Sequence, residues 1–231
     1  MKSIVKFNTI LLFIVFLGIT VAVKSLQCPG SKLPSGQRRR IVRQHNVFRS
    51  RLIHGLLVNS EGKRMPRGKN MLRLRWSCKL EKSAQQWADR CITQHSPQAM
   101  RREVGENIYW STGAESRKLT VGTDAGRSWW SELAELYVDN PANTLTRNVT
   151  RRAVLHFTQM AWGKTYEIGC GVALNCENGR KLIFVCQYNP VGNWIGDLIY
   201  ELGEPCKNNE DCDTNKCIRR SGLCKMTNVR N

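Results

Sequence analysis

Apolar residues recur at helical spacing in three segments of the chain, at about 37–54, 77–91 and 120–138. In each segment they lie three or four residues apart, which is the spacing that brings side chains onto one face of an α-helix. The positions are Ile41, His45, Phe48 and Leu52; Leu80, Ala84, Trp87 and Cys91; and Ala125, Trp129, Leu133 and Leu136. Three amphipathic helices are therefore predicted, the second capped by Ser77. A fourth helix is expected around His156.

Two later segments alternate with the period of a β-strand. Apolar residues occupy every second position from Ile168 to Leu174, and both alternating sets are apolar between Leu182 and Tyr188. A strand that is apolar on both sides lies between two layers, because a solvated face would carry polar residues. Helices are therefore predicted on both faces of a central sheet, which gives an α+β fold with a three-layer α-β-α sandwich.

The two ends of the chain differ in composition from its middle. Two lysines precede an apolar run at about 10–23, and small residues follow it, which are the three parts of a secretory signal peptide. At the other end, 201–231 holds four cysteines but almost no large apolar residues, so disulfides must hold it together. The predicted organisation is a signal peptide at 1–25, a main domain at 26–200 and a cysteine-rich extension at 201–231. The mature protein is expected to be secreted and extracellular, without stable insertion into a membrane.

The ten cysteines are an even number, and all of them follow the predicted signal peptide. This pattern indicates an oxidising compartment and disulfides, and it argues against reactive thiol chemistry. The four cysteines of the extension allow three pairings, of which Cys206–Cys217 with Cys212–Cys224 is adopted as the working prediction. The sequon at Asn148 agrees with secretion and predicts N-glycosylation in a surface loop.

Positive charge is concentrated in the first half of the main domain. The chain has 36 Lys and Arg against 18 Asp and Glu, and eighteen of the basic residues lie between Lys32 and Arg102, where three acids occur. A field of that sign attracts polyanions. Because the chain has no recognisable nucleic-acid module, nucleic acid is a poor partner, and a sulfated glycan such as heparan sulfate fits the compartment better. The alternative is a basic surface that only maintains solubility.

Two motifs in the second half of the chain point to a known family. Residues 155–162 read Leu-His-Phe-Thr-Gln-Met-Ala-Trp, and residues 184–194 read Phe-Val-Cys-Gln-Tyr-Asn-Pro-Val-Gly-Asn-Trp. They resemble the paired signatures of the CAP superfamily, which comprises the cysteine-rich secretory, antigen 5 and pathogenesis-related 1 proteins. Further matches upstream extend the resemblance over 38–200. The run 49–91 is most similar to the venom-allergen-like, or activation-associated secreted, proteins of parasitic nematodes.

The resemblance implies the same α-β-α fold and four polar side chains at the floor of a cleft: His95, Glu106, Glu132 and His156. Imidazole and carboxylate suit zinc, but two histidines alone form a weak, open site in which the glutamates complete or orient the ligands. The hypothesis is weak binding of Zn²⁺ or another divalent cation at His95 and His156. The alternative is that each glutamate only hydrogen-bonds a neighbouring histidine.

The resemblance further implies the disulfides Cys91–Cys176 and Cys170–Cys186, which leaves Cys28 and Cys78 to each other.

Members of the family carry sterols or fatty acids, so the resemblance also implies a lipid-binding protein. A loop after the third helix, at about 137–152, would take a sterol, and a channel between the first and third helices would take an acyl chain such as palmitate. The sterol-loop residues are Tyr137, Val138, Asn140 and Pro141. The acyl-groove residues are Ile41, Phe48, Leu52, Trp129, Leu133 and Leu136, which would serve equally as ordinary core.

These features are consistent with three functions. The leading one is a secreted, non-enzymatic lipid-binding protein of a parasitic nematode that acts on host tissue or immunity. The second is an interaction protein whose basic face docks on sulfated glycans or host receptors. The third is a metal-dependent hydrolase, against which the chain has neither a Gly-x-Ser-x-Gly nor a His-Glu-x-x-His motif. His45 lies on an apolar helix face and is predicted to be a hydrogen-bonded core histidine.

Overall fold

The computed structural model describes residues 28–112 and 120–227, so the predicted signal peptide at 1–25 lies outside the described part of the chain. The helices are α1 (Ser35–Ile53), α2 (Cys78–Ala88), α3 (Val121–Glu135), α4 (Arg147–Thr150) and α5 (Leu155–Ala161). The strands are β1 (Gly68–Lys69), β2 (Arg75–Trp76), β3 (Gly105–Thr112), β4 (Glu167–Cys176), β5 (Lys181–Asn189), β6 (Glu201–Leu202), β7 (Cys217–Ile218) and β8 (Leu223–Cys224). The predicted helices are present as α1, α2, α3 and α5. Within the described residues, no helix is both long enough and apolar enough to cross a bilayer.

The central sheet has four strands in the order β2-β4-β5-β3. Strand β2 runs parallel to β4, whereas β4 and β3 both pair with β5 in antiparallel register. The sequence pattern does not predict β3, because its buried first half consists of the polar triplet Gly105, Glu106 and Asn107. This edge strand nevertheless sets the position of the candidate site, since Glu106 lies directly opposite Gln187 of β5.

Strand β5 is covered on both faces, as its pattern predicts. One alternating set of its side chains belongs to the main core: Leu182, Phe184, Cys186 and Tyr188. Apolar residues of α1, α3 and α5 belong to the same core. The other set, Ile183 and Val185, packs in a smaller core with Ala84, Trp87 and Ala88 of α2. Helices therefore cover both faces of the sheet, and the predicted three-layer α-β-α sandwich is confirmed.

Helix α2 approaches the sheet closely because β4 presents two glycines to it. A Cβ atom added to Gly169 would lie 2.2 Å from the main-chain nitrogen of Glu81, and one added to Gly171 would lie 2.3 Å from the Cα of Gln85. The two glycines are two residues apart and therefore face the same side of the strand. The Gln85 side chain also bonds both main-chain groups of Val172, at 2.7 and 2.9 Å. Helix and strand are thus in contact through main-chain atoms that cannot rotate aside.

Replacing Gly171 with alanine is expected to destabilise the protein by about 2 kcal/mol, because an added methyl group must push α2 away from the sheet. Urea denaturation followed by tryptophan fluorescence measures this change. The matched control is Gly36→Ala in the first turn of α1, where the added Cβ meets only the tip of Arg39 at 4.0 Å. The control should stay within about 0.5 kcal/mol of wild type. Equal midpoints for both variants would show that the close approach does not limit packing.

Five disulfides join all ten cysteines, each of which lies within the described residues. The pairs are Cys28–Cys78, Cys91–Cys176, Cys170–Cys186, Cys206–Cys217 and Cys212–Cys224. They are the pairs expected from the sequence. No cysteine remains as a free thiol.

The cysteine-rich extension is packed against the main domain. Strand β6 pairs with β1, and β8 is hydrogen-bonded to the segment before β2 through the Arg73 nitrogen and the Cys224 carbonyl, 2.7 Å apart. Ser50 of α1 donates to the carbonyl of Ser221 at 2.7 Å. Leu223 lies in the main core. These contacts fix the extension along α1, where it forms one side of a surface groove.

Candidate functional site

The first histidine–glutamate pair joins the loop before β3 to the strand itself. The Glu106 side chain is fully buried, whereas that of His95 is 54% exposed. Oxygen Oε1 of Glu106 accepts hydrogen bonds from His95 Nδ1 at 3.0 Å and from the Ser96 nitrogen at 2.8 Å. Oxygen Oε2 accepts from Ser96 Oγ at 2.7 Å and from Gln187 Nε2 at 3.1 Å. Both oxygens are therefore occupied, so Glu106 orients the His95 ring rather than offering a free ligand atom.

These hydrogen bonds determine the charge of Glu106. Burial by itself would raise the pKa of its carboxyl group, but the hydrogen bonds from His95, Gln187 and Ser96 favour the charged form and lower the pKa to about 2. An ionised carboxylate can only accept hydrogen bonds, so Nδ1 of His95 is the donor. In the neutral ring, Nε2 is then the nitrogen with a free lone pair.

The second pair joins α5 to α3. His156 Nδ1 lies 2.6 Å from Glu132 Oε1, and the main-chain nitrogen of Phe157 donates to Glu132 Oε2 at 2.9 Å. The His156 ring also stacks on Trp129, with centroids 6.0 Å apart and planes 18° apart. Trp129 and Glu132 are three residues apart and so share one face of α3. The ring is therefore held at its edge and on its face, and its Nε2 is again left free of these contacts.

Asn107 connects the two pairs. It follows Glu106 in β3, and its Nδ2 donates to the main-chain carbonyl of His156 at 3.1 Å. The four residues predicted from the resemblance thus come together as two hydrogen-bonded pairs linked through one strand. The sequence does not predict the supporting roles of Asn107, Ser96 or Gln187. For Asn107, the signal in the sequence is its place directly after the predicted site residue Glu106.

His45 is a core residue, as its position on an apolar helix face predicts. Its Nδ1 lies 2.9 Å from the Ile41 carbonyl and its Nε2 lies 3.1 Å from the Tyr188 hydroxyl. Burial lowers the pKa of His45 to about 4, so the ring is neutral at physiological pH. Both ring nitrogens are occupied, and His45 therefore offers no ligand to a cation.

Among the four site residues, only the two imidazoles keep a ring nitrogen free of the hydrogen bonds described above. Among the described residues, two clusters each bring three candidate ligand atoms within 4.8 Å of one another. One consists of Cys206, Cys212 and Cys224, and the other of Cys28, Cys78 and Glu81. Every cysteine in these clusters is in a disulfide, so none supplies a thiolate. The His95 and His156 pairs do fit the arrangement in which a carboxylate holds one imidazole nitrogen and the other faces a metal.

A hydrolytic arrangement has no support in the hydrogen bonds of the site. A serine nucleophile needs a hydroxyl group bonded to a general base, usually histidine. Ser96 Oγ is instead bonded to Glu106 and is buried. Within the described part of the chain, neither the His95 ring nor the His156 ring is hydrogen-bonded to a hydroxyl group.

The predicted sterol loop is built around a buried tyrosine. Tyr137 is 1% exposed, packs edge-on against Phe157 and accepts a hydrogen bond from Asn140 at 2.9 Å. Val138 is partly buried and Pro141 is exposed. The one aromatic side chain of this loop therefore serves the core.

The predicted acyl channel lies where α1 and α3 are in contact. Phe48 stacks on Trp130 with ring centroids 4.9 Å apart, and Leu136 is exposed. The other four predicted residues are buried in the main core: Ile41, Leu52, Trp129 and Leu133. A Cβ atom added to Gly122 of α3 would lie 2.6 Å from Ile41. The two helices leave no room for a methyl group at this level, so an acyl chain between them requires the helices to separate.

A more open apolar surface is formed by the first residue of α5 and the segment after β5. Leu155, Trp194, Ile195 and Leu198 are each between 39% and 57% exposed, and we call them the apolar rim. Asn193 fastens the rim to α5, because its side chain bonds the Leu155 carbonyl at 2.9 Å and the Thr158 hydroxyl at 2.7 Å. The rim therefore begins one residue before His156. The sequence did not reveal it, because its residues follow no helical or strand period.

A cavity of about 650 Å³ adjoins the rim. It is lined by Lys69, Asn70, Gly163, Lys164 and the segment 196–202. The main chain of this segment is bonded to the predicted sterol loop: the Leu145 nitrogen donates to the Asp197 carbonyl at 2.8 Å, and the Ile199 nitrogen donates to the Asn143 carbonyl at 2.9 Å. The sterol loop thus supports a neighbouring segment that offers more apolar surface than the loop itself. A cavity of this size is typical of small-molecule sites.

The sequon asparagine is accessible. Asn148 lies in the short helix α4 and is exposed, while Val149 beside it is buried. The position can therefore receive a glycan without disturbing the core, and its glycosylation stays a prediction.

A four-stranded sheet lies between two helical layers, five disulfides join parts of the chain, and two histidines are each held by a carboxylate. These features define a disulfide-rich α-β-α sandwich domain. Within that class, a model of the CAP family, described as the cysteine-rich secretory protein family, matches residues 42–188. The chain belongs to this family.

Secreted proteins are among the relatives of the chain. The chain is 35% identical over 211 residues to the Ancylostoma secreted protein of Ancylostoma caninum. The aligned region covers 90% of this chain and 48% of that protein. It therefore spans about half the length of that relative. It is 32% identical over 207 residues to the human cysteine-rich secretory protein 2, which covers 84% of this chain and 75% of that protein.

Solved structures of venom-allergen-like and related nematode proteins superimpose on this fold. The structure of BmVAL-1 gives a TM-score of 0.86 with 57% identity, over 88% of this chain and all of that chain. The crystal structure of NaASP2 with Zn²⁺ gives a TM-score of 0.78 with 34% identity, over 86% of this chain and all of that chain. The resemblance to nematode venom-allergen-like proteins is therefore confirmed.

Proposed function

We propose that this protein is a secreted, non-enzymatic carrier of a sterol or fatty acid. The observation that carries the proposal is the apolar rim beside the 650 Å³ cavity. Large exposed apolar side chains beside a cavity are typical of a site for a lipid, a membrane or a protein. As a relative of nematode secreted proteins, the molecule would act outside the cell, on host tissue or immunity.

The rim has the features of a surface that meets lipid. Trp194 is 57% exposed and Ile195 is 54% exposed, so both side chains are available to the interfacial region of a bilayer, where tryptophan is favoured. Main-chain and Asn193 hydrogen bonds hold the segment in place before a ligand arrives, which reduces the entropy lost on binding. Leu198 belongs to both the rim and the cavity lining, so a lipid that meets the rim would lie next to the cavity.

Replacing Trp194 and Leu198 together with serine is expected to reduce binding of palmitate and of a fluorescent sterol about tenfold, because the change removes apolar contact area. Lipid transferred from vesicles to the purified protein is the quantity to measure. Trp110→Ser is the matched control, since Trp110 is a comparably exposed tryptophan (54%) that lies on β3 beside Lys181. The control should bind as wild type does.

Two results would count against this proposal in different ways. Saturable binding that is equal in wild type and both variants would place the lipid elsewhere, for example between α1 and α3. Absence of saturable binding in wild type would reject the carrier function.

A second property, binding of a divalent cation, is favoured by the two carboxylate-held imidazoles. We infer that Zn²⁺ would be held by Nε2 of His95 and Nε2 of His156, with Glu106 and Glu132 orienting the rings. The relative NaASP2, solved with Zn²⁺, supports this choice of ion. A bound cation would supply positive charge to the cleft and connect the loop before β3 with α5.

Replacing His95 and His156 together with alanine is expected to abolish the saturable heat of zinc binding that wild type shows in calorimetric titration. His54→Ala serves as the control, because His54 belongs to neither pair and its Nδ1 lies 2.7 Å from the Ser50 carbonyl. That variant should keep the wild-type heat. Equal heats in all three proteins would reject the site.

A further inference from the structure

A groove of about 660 Å³ runs between α1 and the cysteine-rich extension. Five arginines line it, three from α1, one from the segment before β2 and one from the turn between β7 and β8. We call it the arginine groove, after Arg39, Arg43, Arg51, Arg73 and Arg220. It shares no lining residue with the cavity beside the apolar rim.

The arginines on α1 form one continuous row. Arg39, Arg43, Val47 and Arg51 follow one another at intervals of four residues, so they lie along one ridge of the helix. At 1.5 Å per residue, the row is about 18 Å long. Like charges four residues apart destabilise a helix, so the row is not explained by the stability of α1.

The five guanidinium groups are free to meet a ligand. All five arginines are exposed, and across residues 28–112 and 120–227 none of their side chains forms an ion pair with a carboxylate. Other arginines of the chain do have such partners, as Arg75 has with Glu167 at 2.8 Å and Arg67 with Glu204 at 2.8 Å. No acidic residue lines the groove. Its charge is therefore uncompensated and of one sign.

The floor of the groove is preformed. It contains Val42, Ile218 and Leu223, and the hydrogen bond from Ser50 to the Ser221 carbonyl closes it. The far wall is held by two disulfides, Cys206–Cys217 and Cys212–Cys224. Because both walls are fixed, little ordering of the protein is needed when a ligand binds, and affinity gains accordingly.

The chemistry of the groove selects its ligand. Guanidinium groups bind the oxygens of sulfate and phosphate through paired hydrogen bonds, and a row of them fits several anionic groups along one extended molecule. The lining contains no aromatic side chain on which nucleic-acid bases could stack. A concave groove also fits a chain better than it fits the flat surface of a membrane. The five disulfides indicate an oxidising, extracellular compartment, where polyanionic chains are sulfated polysaccharides.

We propose that the arginine groove binds a linear sulfated polysaccharide. The sugar chain lies along α1, its sulfates face the arginines of both walls, and the apolar faces of its rings contact the floor. This proposal locates the partner of the basic first half of the chain at one site. It is independent of lipid binding, because the two sites share no residue.

The test measures binding of a heparin octasaccharide to the full secreted chain by calorimetry. Replacing Arg39, Arg43 and Arg51 together with glutamine is expected to weaken binding about 30-fold. The matched control replaces Arg102, Arg151 and Arg152 with glutamine, which removes the same charge from exposed positions outside the groove. The control should lose less than about threefold. Both triple variants are expected to unfold at the wild-type temperature, since all six side chains are exposed.

Two further probes identify the ligand class. Hyaluronan, which carries carboxylates but no sulfates, is expected to bind at least about tenfold more weakly than the heparin octasaccharide. The proposal is overturned if the control triple loses as much affinity as the groove triple, because the charge would then act diffusely. It is also overturned if single-stranded DNA or phosphatidylserine vesicles compete as well as heparin does. Lipid transfer measured on the groove triple should remain at the wild-type value, which separates this site from the carrier function.

Discussion

Replacing Arg49 with methionine is expected to destabilise the protein by about 4 kcal/mol or more, because several buried carbonyl groups would lose their donor at once. The Arg49 side chain is fully buried in the main domain. It donates hydrogen bonds of 2.7 to 3.2 Å to five main-chain carbonyls: those of Leu72, Met160, Trp162, Gly163 and Thr165. It thus connects α1 to the segment before β2 and to the turn that follows α5.

The charge of Arg49 is part of this effect. Burial lowers the pKa of its guanidinium group to about 9, so the group is still charged at neutral pH. Two of the carbonyls it binds, of Met160 and Trp162, lie at the C-terminal end of α5, where the helix dipole favours a cation. Methionine replaces the aliphatic stem but supplies no donor, whereas lysine retains a charge and recovers part of the lost stability.

Urea denaturation at neutral pH tests this prediction, with the order of stability wild type, Arg49→Lys, Arg49→Met. Arg51→Met is the control, since Arg51 lies two residues further along the same helix but is exposed. It should change the free energy of unfolding by less than about 0.5 kcal/mol. An Arg49→Met protein within about 1 kcal/mol of wild type would mean that water replaces the guanidinium.

A loss of about 3 kcal/mol of stability between pH 5 and pH 2 is expected from Glu106 alone. Its pKa is lowered to about 2 in the folded protein, against about 4.3 for an unperturbed glutamate. As the pH falls through this window, the unfolded chain takes up the proton before the folded one does. Acid therefore favours unfolding, and the contribution is fully present only above the unfolded value.

The Glu106→Gln variant separates this contribution from general acid unfolding. At pH 7 it should be less stable than wild type by about 3 kcal/mol, and the difference should shrink as the pH approaches 2. Free energies of unfolding in urea at a series of pH values give the comparison. Glu135→Gln, at an exposed position of α3, should instead run parallel to wild type. A constant offset between wild type and Glu106→Gln across the series would contradict the prediction.

The layers of the fold could be predicted because they follow from regular periods. The apolar faces of α1, α2 and α3 recur every three or four residues, and β5 is apolar on both sides, so its position between helices follows directly. Strand β3 could not be predicted in this way, since three of its buried positions are taken by a glycine and the two polar residues of the site. The buried positions that would normally carry apolar residues, and so identify the strand, carry residues of the site instead.

The candidate site was predictable in its residues but not in its surroundings. The family resemblance gave the two histidines and two glutamates, and the structure assembles them as two pairs. The apolar rim escaped prediction, because its side chains follow no period and its main chain is held by bonds to Asn143 and Leu145, some fifty residues earlier. The arginine row on α1 was visible as charge. Its second wall was not, since the docking of the extension on Ser50 is a long-range contact.

The position of the extension along α1 has a consequence for how such chains diversify. Leu223 and Cys224 anchor it in the interior, while most of the residues from 207 to 220 face solvent between the disulfide bridges. Substitutions or short insertions in that stretch can reshape one wall of the arginine groove without repacking the core of the main domain. The wall of the groove that the extension supplies can therefore change while the sandwich that carries it stays the same.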